Sequence, residues 1–320
     1  IEAAQIEKDL AVLEKQQLLQ SLTLQGIQGY YLTAFSRKSI RIKEEQLHNF
    51  KQMLEQTMLR KQAGSATNFD YLNTNAGLQA VKSELIALGA EKEKQYINLG
   101  MLADTTISDN TPLSLYFIRK QEKRSLEELI TFALENRMEM KIMRKNIELA
   151  HLQKKTADRS FNPTLSAGIS GGFNNGYEPN INKLRANFAV GATLEVPLYE
   201  GGKRKQNIGL ANAQINKSTA TLTLTEKEIT RQVADSYFTL VSAAASLEQL
   251  KVQDLVSQEA YQQARTNYQA GTLTNLELVT SATNATNARL LLLQEEINYQ
   301  IAWYGLLVNL GILIYNTDGN

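Results

Sequence analysis

Apolar residues recur at helical spacing over an unusual length in the last third of the chain. Between residues 203 and 270 they follow steps of four and three, and the seam consists of Ile229, Val233, Tyr237, Leu240, Ala244 and Leu247. A mean period of about 3.5 residues is typical of a coiled coil. Gly271 then matches a helix C-cap and Thr272 or Thr274 an N-cap, so a return helix follows to about Leu310. The pattern predicts a hairpin of two long helices, the first about 100 Å in length.

The first part of the chain repeats this arrangement. Gly64 precedes Gly271 by 207 positions, and at that offset the letters QAGS and NFD correspond to QAGT and NLE. Because one register is kept across a turn motif, the similarity indicates an internal repeat. We therefore predict a first helical hairpin with arms at residues 1–63 and 67–99.

Two stretches between the repeats, residues 161–173 and 186–198, alternate in the manner of β-strands. One face is apolar, and the other consists of small and polar residues. Each stretch has about the 9–11 residues that a tilted strand needs to cross a bilayer. The side chains that we expect to face lipid are Leu165, Ile169, Phe173, Phe188, Val190, Leu194 and Val196.

Alternation of this kind is also typical of a half-buried strand in a soluble sheet, and taken alone it favours that alternative. A lone hairpin, however, is marginal in water. We predict no other strand in the sequence, so the hairpin has to find strand partners elsewhere. This context favours assembly between chains.

Prolines separate the predicted elements. All four lie in the middle third, so both flanks are free to form long helices. Residues 104–125, which contain Pro112 and a polar run, are predicted to be a linker. A third helix is predicted over residues 126–159, with one apolar face formed by Leu126, Leu129, Ile130, Ala133 and Leu134.

Composition narrows the functional classes. The chain has 320 residues, of which 43% are hydrophobic and 21% charged, so a folded chain is expected. Its net charge of +1 gives no electrostatic basis for binding nucleic acid. It has no cysteine, and His48 and His151 are the only histidines, each in helical sequence away from any matching cluster. We predict no enzyme activity, no cofactor and no metal site.

Three stretches carry a resemblance to a known family. The first consists of LEEL at residues 126–129 and ALENR at residues 133–137. The second is EVPLYEGGK at residues 195–203, and the third is NYQAGTLTNLE at residues 267–277. In this order they resemble the TolC family of outer-membrane efflux and secretion channels. The resemblance implies a mainly α fold with a β-hairpin, in which long antiparallel coiled-coil hairpins form a tunnel below a trimeric, twelve-stranded transmembrane β-barrel. Such a barrel needs four strands from each chain, so we expect a half-repeat with one helix and two strands to precede residue 1.

The resemblance also implies function and partners. It indicates a passive exit duct of a tripartite efflux pump or type I secretion system, in the outer membrane and extending into the periplasm. Its expected partners are two identical copies, outer-membrane lipid, a periplasmic membrane-fusion adaptor and, indirectly, an energised inner-membrane transporter. The alternative is a soluble periplasmic coiled-coil scaffold or adaptor, which would share the long heptads but would not need two bilayer-length strands.

The predicted segments follow from these patterns. They are a first-repeat hairpin (1–103), a linker (104–125), the helix leading into the barrel (126–160), the transmembrane β-hairpin (161–198), a second-repeat hairpin (199–313) and a C-terminal tail (314–320).

At the helical tips the resemblance implies a gate. Asp70 and Glu277 match an acidic position six residues after each tip glycine, and Tyr268 matches a constricting tyrosine. Our hypothesis is a carboxylate ring that selects cations, and the alternative is solvated helix carboxylates. The chain departs from the family at Leu273, in place of an arginine, and at Thr280, in place of a second acid. These departures predict fewer polar links at the tips.

Two further sites are expected. The resemblance makes the tips a docking surface for the adaptor, whereas the alternative is plain turn residues; this surface comprises Gly64, Ser65, Ala66, Gly271, Thr272 and Leu273. At the junction of strand and helix, Pro197 ends strand pairing, and Gly201 and Gly202 let the chain turn. The cations at residues 203–205 then lie near the inner face of the membrane or simply begin a solvated helix.

Overall fold

The computed structural model describes residues 2–113, 117, 122–175 and 184–314. Residues 176–183 of the predicted β-hairpin, and 315–320 of the predicted tail, lie outside this range. The described residues form six helices and two strands: α1 Glu2–Gln62, α2 Asn68–Ala103, α3 Leu126–Asn136, α4 Met138–Arg159, β1 Thr164–Asn175, β2 Leu184–Glu195, α5 Lys203–Gln269 and α6 Asn275–Asn309.

The chain divides into two compact units. One comprises Ile1–Leu13 and Lys141–Thr225, and the other Glu14–Met140 and Glu226–Asn320. The first holds the β-hairpin and the second holds both helical tips. No helix within the described residues is apolar over a length that would cross a membrane.

Both predicted helical hairpins are present, and they pack together in the second unit. Phe50, Met53 and Leu78 of the first hairpin share one buried cluster with residues of the second, and the latter are Tyr261, Ala264, Tyr268, Leu278, Ala282 and Ala285. Three of these are alanines, whose small side chains allow helices to approach closely. The repeat therefore folds as two hairpins that bury their apolar stripes against each other.

The predicted third helix is wrong in one respect, because the structure divides it at Arg137. This residue adopts φ −62° and ψ 141° and ends α3. The break leaves room for the turn after α6, where a Cβ on Gly311 would lie 2.9 Å from the Cα of Arg137. The Arg137 guanidinium is buried and donates to both carboxylate oxygens of Glu139 and, over 2.7 Å, to Gln232.

The described part of the predicted linker lies against the first hairpin. The Arg37 guanidinium donates to the Tyr96 hydroxyl over 2.6 Å and to the carbonyl oxygen of Thr111 over 2.7 Å. Asp109 accepts from Lys92 over 2.8 Å. Hydrogen bonds from Lys92, and then from Tyr96, lower the pKa of Asp109. Charged and polar groups thus fix a segment that has few apolar side chains of its own.

The two strands form an antiparallel hairpin in which the predicted faces are confirmed. Leu165 lies opposite Leu194, and Ile169 lies opposite Val190, so the apolar residues of both strands share one face. The strand ends differ from the prediction: β1 begins at Thr164, and β2 ends before Val196. The six apolar side chains predicted for lipid contact and lying within the strands are 64–75% exposed; they are Leu165, Ile169, Phe173, Phe188, Val190 and Leu194.

Candidate functional site

The two helical tips have the same backbone structure. Gly64 and Gly271 have φ of 75° and 78°, a left-handed conformation that glycine adopts without strain. The residue after each glycine donates its backbone N–H to a carbonyl in the last turn of the helix. Ser65 donates to the Arg60 carbonyl over 2.8 Å, and Thr272 donates to the Asn267 carbonyl over 3.0 Å. The predicted C-caps and the predicted repeat register are confirmed at this point.

Each return helix begins with a capping box that involves the predicted gate carboxylates. The Asp70 carboxylate accepts from the Thr67 N–H over 2.8 Å, and that of Glu277 accepts from the Thr274 N–H over 2.9 Å. Thr274, and not Thr272, is therefore the N-cap. Hydrogen bonds from the Thr274 hydroxyl and backbone lower the pKa of Glu277. The T-x-x-D/E spacing that marks such a box is present in the sequence, and it gives both carboxylates a local structural role.

Tyr268 lies inside the chain and not at its surface. Its side chain is 5% exposed, and the Arg60 guanidinium lies 4.4 Å from the centre of its ring. Arg60 also donates to the Gln269 carbonyl over 3.0 Å, and the Tyr268 hydroxyl lies 3.5 Å from the Thr57 hydroxyl. In this conformation Tyr268 joins α5 to α1.

Asn275 is the centre of a second polar connection between the hairpins. It is 3% exposed, and its amide donates to Thr74 over 2.8 Å and to Thr57 over 3.3 Å. Its counterpart in the repeat, Asn68, is exposed. The sequence does not single out Asn275, because asparagine occupies the equivalent position in both repeats. The residues that join the two hairpins here form what we call the tip cluster: Thr57, Arg60, Thr74, Tyr268 and Asn275.

The tip cluster supplies polar links between the two hairpins within one chain. Leu273 packs partly buried against the apolar cluster and carries no charge, as the sequence indicated, and Thr280 is exposed. The cation comes instead from Arg60 on the other hairpin, which interacts with both Tyr268 and a helix terminus. The polar links are thus supplied by different residues of the chain.

The turns at both tips are uncharged and consist mostly of small residues. Gly64, Ser65, Gly271 and Thr272 are exposed, while Ala66 and Leu273 are partly buried. Large apolar side chains next to these turns are also exposed by half or more; they are Met58, Leu59, Phe69, Leu72 and Leu276. Exposed large apolar side chains beside a turn are compatible with a site that contacts another protein.

The junction of strand and helix has the backbone that the glycines predict. Gly201 and Gly202 have φ of 59° and 84°, and Pro197 follows the end of β2. Arg204 donates to the Asp158 carbonyl over 3.2 Å and lies 5.6 Å from the ring centre of Phe161. One of the three cations therefore connects the start of α5 to the end of α4.

Within the described residues no group of three or more histidine, cysteine or acidic side chains is arranged to hold a metal ion. His48 lies on the surface of α1, where its Nε2 is 3.0 Å from the Gln52 amide nitrogen, and His151 is exposed. Neither histidine belongs to a catalytic arrangement in the described part of the chain.

A family model of outer membrane efflux proteins matches residues 129–311, which is more than half of the chain. The chain belongs to this family. The predicted resemblance and the predicted outer-membrane location are thereby confirmed. The family consists of channels and not of enzymes.

Two curated relatives agree with this assignment. The chain is 23% identical over 298 residues to the alkaline protease secretion protein AprF of Pseudomonas aeruginosa, covering 92% of this chain and 62% of that protein. It is 21% identical over 300 residues to the proteases secretion protein PrtF of Dickeya chrysanthemi, covering 92% and 65%. The chain spans less than two thirds of the length of both relatives.

The fold is similar to that of solved outer membrane channels. The structure of the CmeC outer membrane channel of Campylobacter jejuni superposes with a TM-score of 0.82 at 14% identity, over 99% of this chain and 68% of that one. The predicted fold class, mainly helical with a β-hairpin, is confirmed by this similarity.

Proposed function

We propose that the full-length protein forms a homotrimeric channel that serves as the exit duct of a type I secretion system or tripartite efflux pump. The duct is passive, and an inner-membrane transporter, reached through a periplasmic adaptor, supplies the energy. Membership of the outer membrane efflux protein family supports this function, and so do two relatives named as protease secretion proteins. The observation that carries the proposal is the exposed apolar face of the β-hairpin.

That face indicates contact with lipid. Its six large side chains are exposed by 64% or more, although they stand together on one side of a regular two-stranded sheet. The other side carries serine, threonine, asparagine and glycine, which suit a water-filled lumen. A hairpin of this kind gains stability only when its edges pair with further strands and its apolar face leaves water. A barrel shared between three chains meets both requirements.

The helices also present a surface for other copies. On α5, exposed large apolar residues recur at intervals of fourteen residues, which is two heptads; Leu210, Leu224, Phe238 and Val252 form one such series, and Val241 and Leu255 another. Apolar side chains at such spacing are stable in water when a second helix covers them. This stripe supports side-by-side packing of several chains.

Membrane extraction separates this function from that of a soluble scaffold. We expect the full-length protein to sediment with outer membranes, to remain there in high salt, and to be released by detergent as a trimer. Recovery of a folded monomer in buffer without detergent would favour the coiled-coil scaffold instead.

The tips are the proposed docking surface for the adaptor. Arginine at both Ser65 and Thr272 is expected to lower export by about tenfold or more, because bulky charges prevent close approach of a second helical tip. The measurement is secretion or dye efflux by cells that carry the full-length variant. A Ser83→Arg variant, which places one arginine per chain on the exposed flank of α2, should export normally. Normal export by the tip variant would contradict the docking role.

Asp70 and Glu277, repeated in three copies, are proposed to favour cations at the tips. Replacing them with Asn and Gln removes six charges per trimer but leaves an oxygen that can accept from Thr67 and Thr274, so the caps remain. We expect the cation-to-anion permeability ratio to fall by about twofold or more, measured from the reversal potential under a salt gradient. An unchanged ratio would leave the carboxylates with their capping role alone.

The tip cluster is proposed to hold the two hairpins together in the closed channel. Asn275→Ala removes buried hydrogen bonds that are worth about 1–3 kcal/mol, so the tips should separate more easily and single-channel conductance should rise. Asn68→Ala is the matched control, because it changes the same letter at the exposed position of the repeat. Equal conductance of the two variants would show that Asn275 has no role in closure.

A further inference from the structure

The two strands, as far as the structure describes them, carry very few charged side chains. Among the residues described, β1 has none, and β2 has Arg185 near its start and Glu195 at its end. Charged residues on a transmembrane strand are tolerated where they face water and are costly where they face lipid. The face on which these charged residues lie therefore determines whether they can interact with ions in the lumen.

The strand register places both charges on the polar face. Arg185 lies opposite Asn174, and Glu195 lies opposite Thr164. Successive side chains of a strand alternate between faces, so Arg185 shares a face with Thr193 and lies on the other side from Val190. The apolar face of the hairpin is thus free of charge in the described strands, and the polar face has one charge at each end.

The spacing matches the thickness of the lipid-facing band. Arg185 and Glu195 are ten positions apart, which corresponds to about 33 Å along a strand. With a strand tilt of about 40°, the separation along the barrel axis is about 25 Å, the height of the apolar band of outer-membrane barrels. Each charge therefore lies at one edge of that band.

The two edges are distinguished by the helices. α4 ends at Arg159, shortly before Thr164, and α5 begins at Lys203, shortly after Glu195. Both helices therefore join the hairpin at its Glu195 end. Arg185 lies at the opposite end, where strand β1 runs towards the external mouth of the proposed channel.

We propose that Arg185, repeated in three copies, forms a ring of guanidinium groups at the external mouth that attracts anions. The inference rests on the proposed channel function, since it needs the polar face to line a lumen. Glu195 contributes the opposite charge at the edge nearer the helices. The favoured ligands at the external mouth are small anions and acidic segments of exported polypeptides.

Reversal potentials of the full-length trimer in planar bilayers test this ring. Arg185→Gln is expected to raise the potassium-to-chloride permeability ratio by about twofold at about 10 mM salt, where the Debye length is about 30 Å. The difference should vanish near 1 M salt, where the Debye length is about 3 Å. Arg185→Lys keeps the charge at the same position and should match the wild type, and it also controls for folding.

The outcomes separate this inference from the channel itself. If all three proteins conduct with the same permeability ratio at low salt, the channel stands and the Arg185 ring is wrong. If Arg185→Lys shifts the ratio as much as Arg185→Gln does, charge is not the cause and the ring is equally wrong. If neither the wild type nor the Asn275→Ala variant conducts, the proposed channel fails and the ring fails with it.

Discussion

Replacing Ile169 with arginine is expected to prevent assembly in the outer membrane. Ile169 lies near the middle of β1, opposite Val190, on the apolar face, and it is 74% exposed in the single chain. An arginine at the bilayer midplane of a barrel costs about 2–4 kcal/mol. A trimer carries that cost three times, which is comparable to the net stability of a typical folded domain.

Ser170→Arg is the matched control for this prediction. Ser170 is the next residue of β1 and lies opposite Ala189, on the polar face of the same hairpin. The amount of trimer in detergent extracts of outer membranes, measured on gels without heating, should fall sharply for Ile169→Arg and remain near wild type for Ser170→Arg. Equal yields of the two variants would contradict the assignment of the apolar face to lipid.

Gly311→Ala is expected to destabilise the second unit strongly, although it adds only one methyl group. Gly311 has φ of 77°, and an added Cβ would lie 2.9 Å from the Cα and N of Arg137 and from the carbonyl carbon of Asn136. These are backbone atoms, which cannot rotate away. The left-handed conformation costs about 1–2 kcal/mol and the overlap about 1–3 kcal/mol, so the free energy of unfolding should fall by about 2–5 kcal/mol.

Gly305→Ala provides a control within α6. A Cβ at Gly305 would meet no atom within 4 Å, and alanine favours a helix over glycine by about 0.5–1 kcal/mol. Thermal or denaturant unfolding should therefore show a lower midpoint for Gly311→Ala and an equal or higher midpoint for Gly305→Ala. A Gly311→Ala protein as stable as wild type would show that the contact with Arg137 can relax without cost.

The long helices could be predicted closely because their signals are local. The second repeat was expected to have its first arm at residues 203–270, and α5 spans Lys203–Gln269. Proline is absent from both repeats, and glycine followed by a capping threonine marks each tip. Such signals act within one turn of the backbone, so a single sequence contains them in full.

The break at Arg137 could not be predicted, because no proline or glycine stands there. It coincides with a close approach of Gly311, which is distant in sequence and whose added Cβ would lie 2.9 Å from the Arg137 backbone. The coiled-coil seam shows a similar effect: Ala243, and not Ala244, is buried between Leu240 and Leu247. Both alanines are compatible with the heptad pattern, and tertiary packing determines which of them is buried.

The tip cluster could not be predicted from the sequence either, because it also depends on tertiary packing. The residue pairs that form it are more than 200 positions apart, as for Thr57 with Asn275 and Arg60 with Tyr268. In the sequence Asn275 is equivalent to Asn68, yet one is buried between hairpins and the other is exposed. Only the packing of one hairpin on the other distinguishes them.

Conductance of the full-length protein in a planar lipid bilayer tests the central claim most directly. We expect discrete current steps from purified wild-type trimer and larger or more frequent steps from the Asn275→Ala variant, in which the tips separate more easily. A membrane that stays silent with both proteins, while each remains folded and soluble without detergent, would contradict the channel and favour the coiled-coil scaffold.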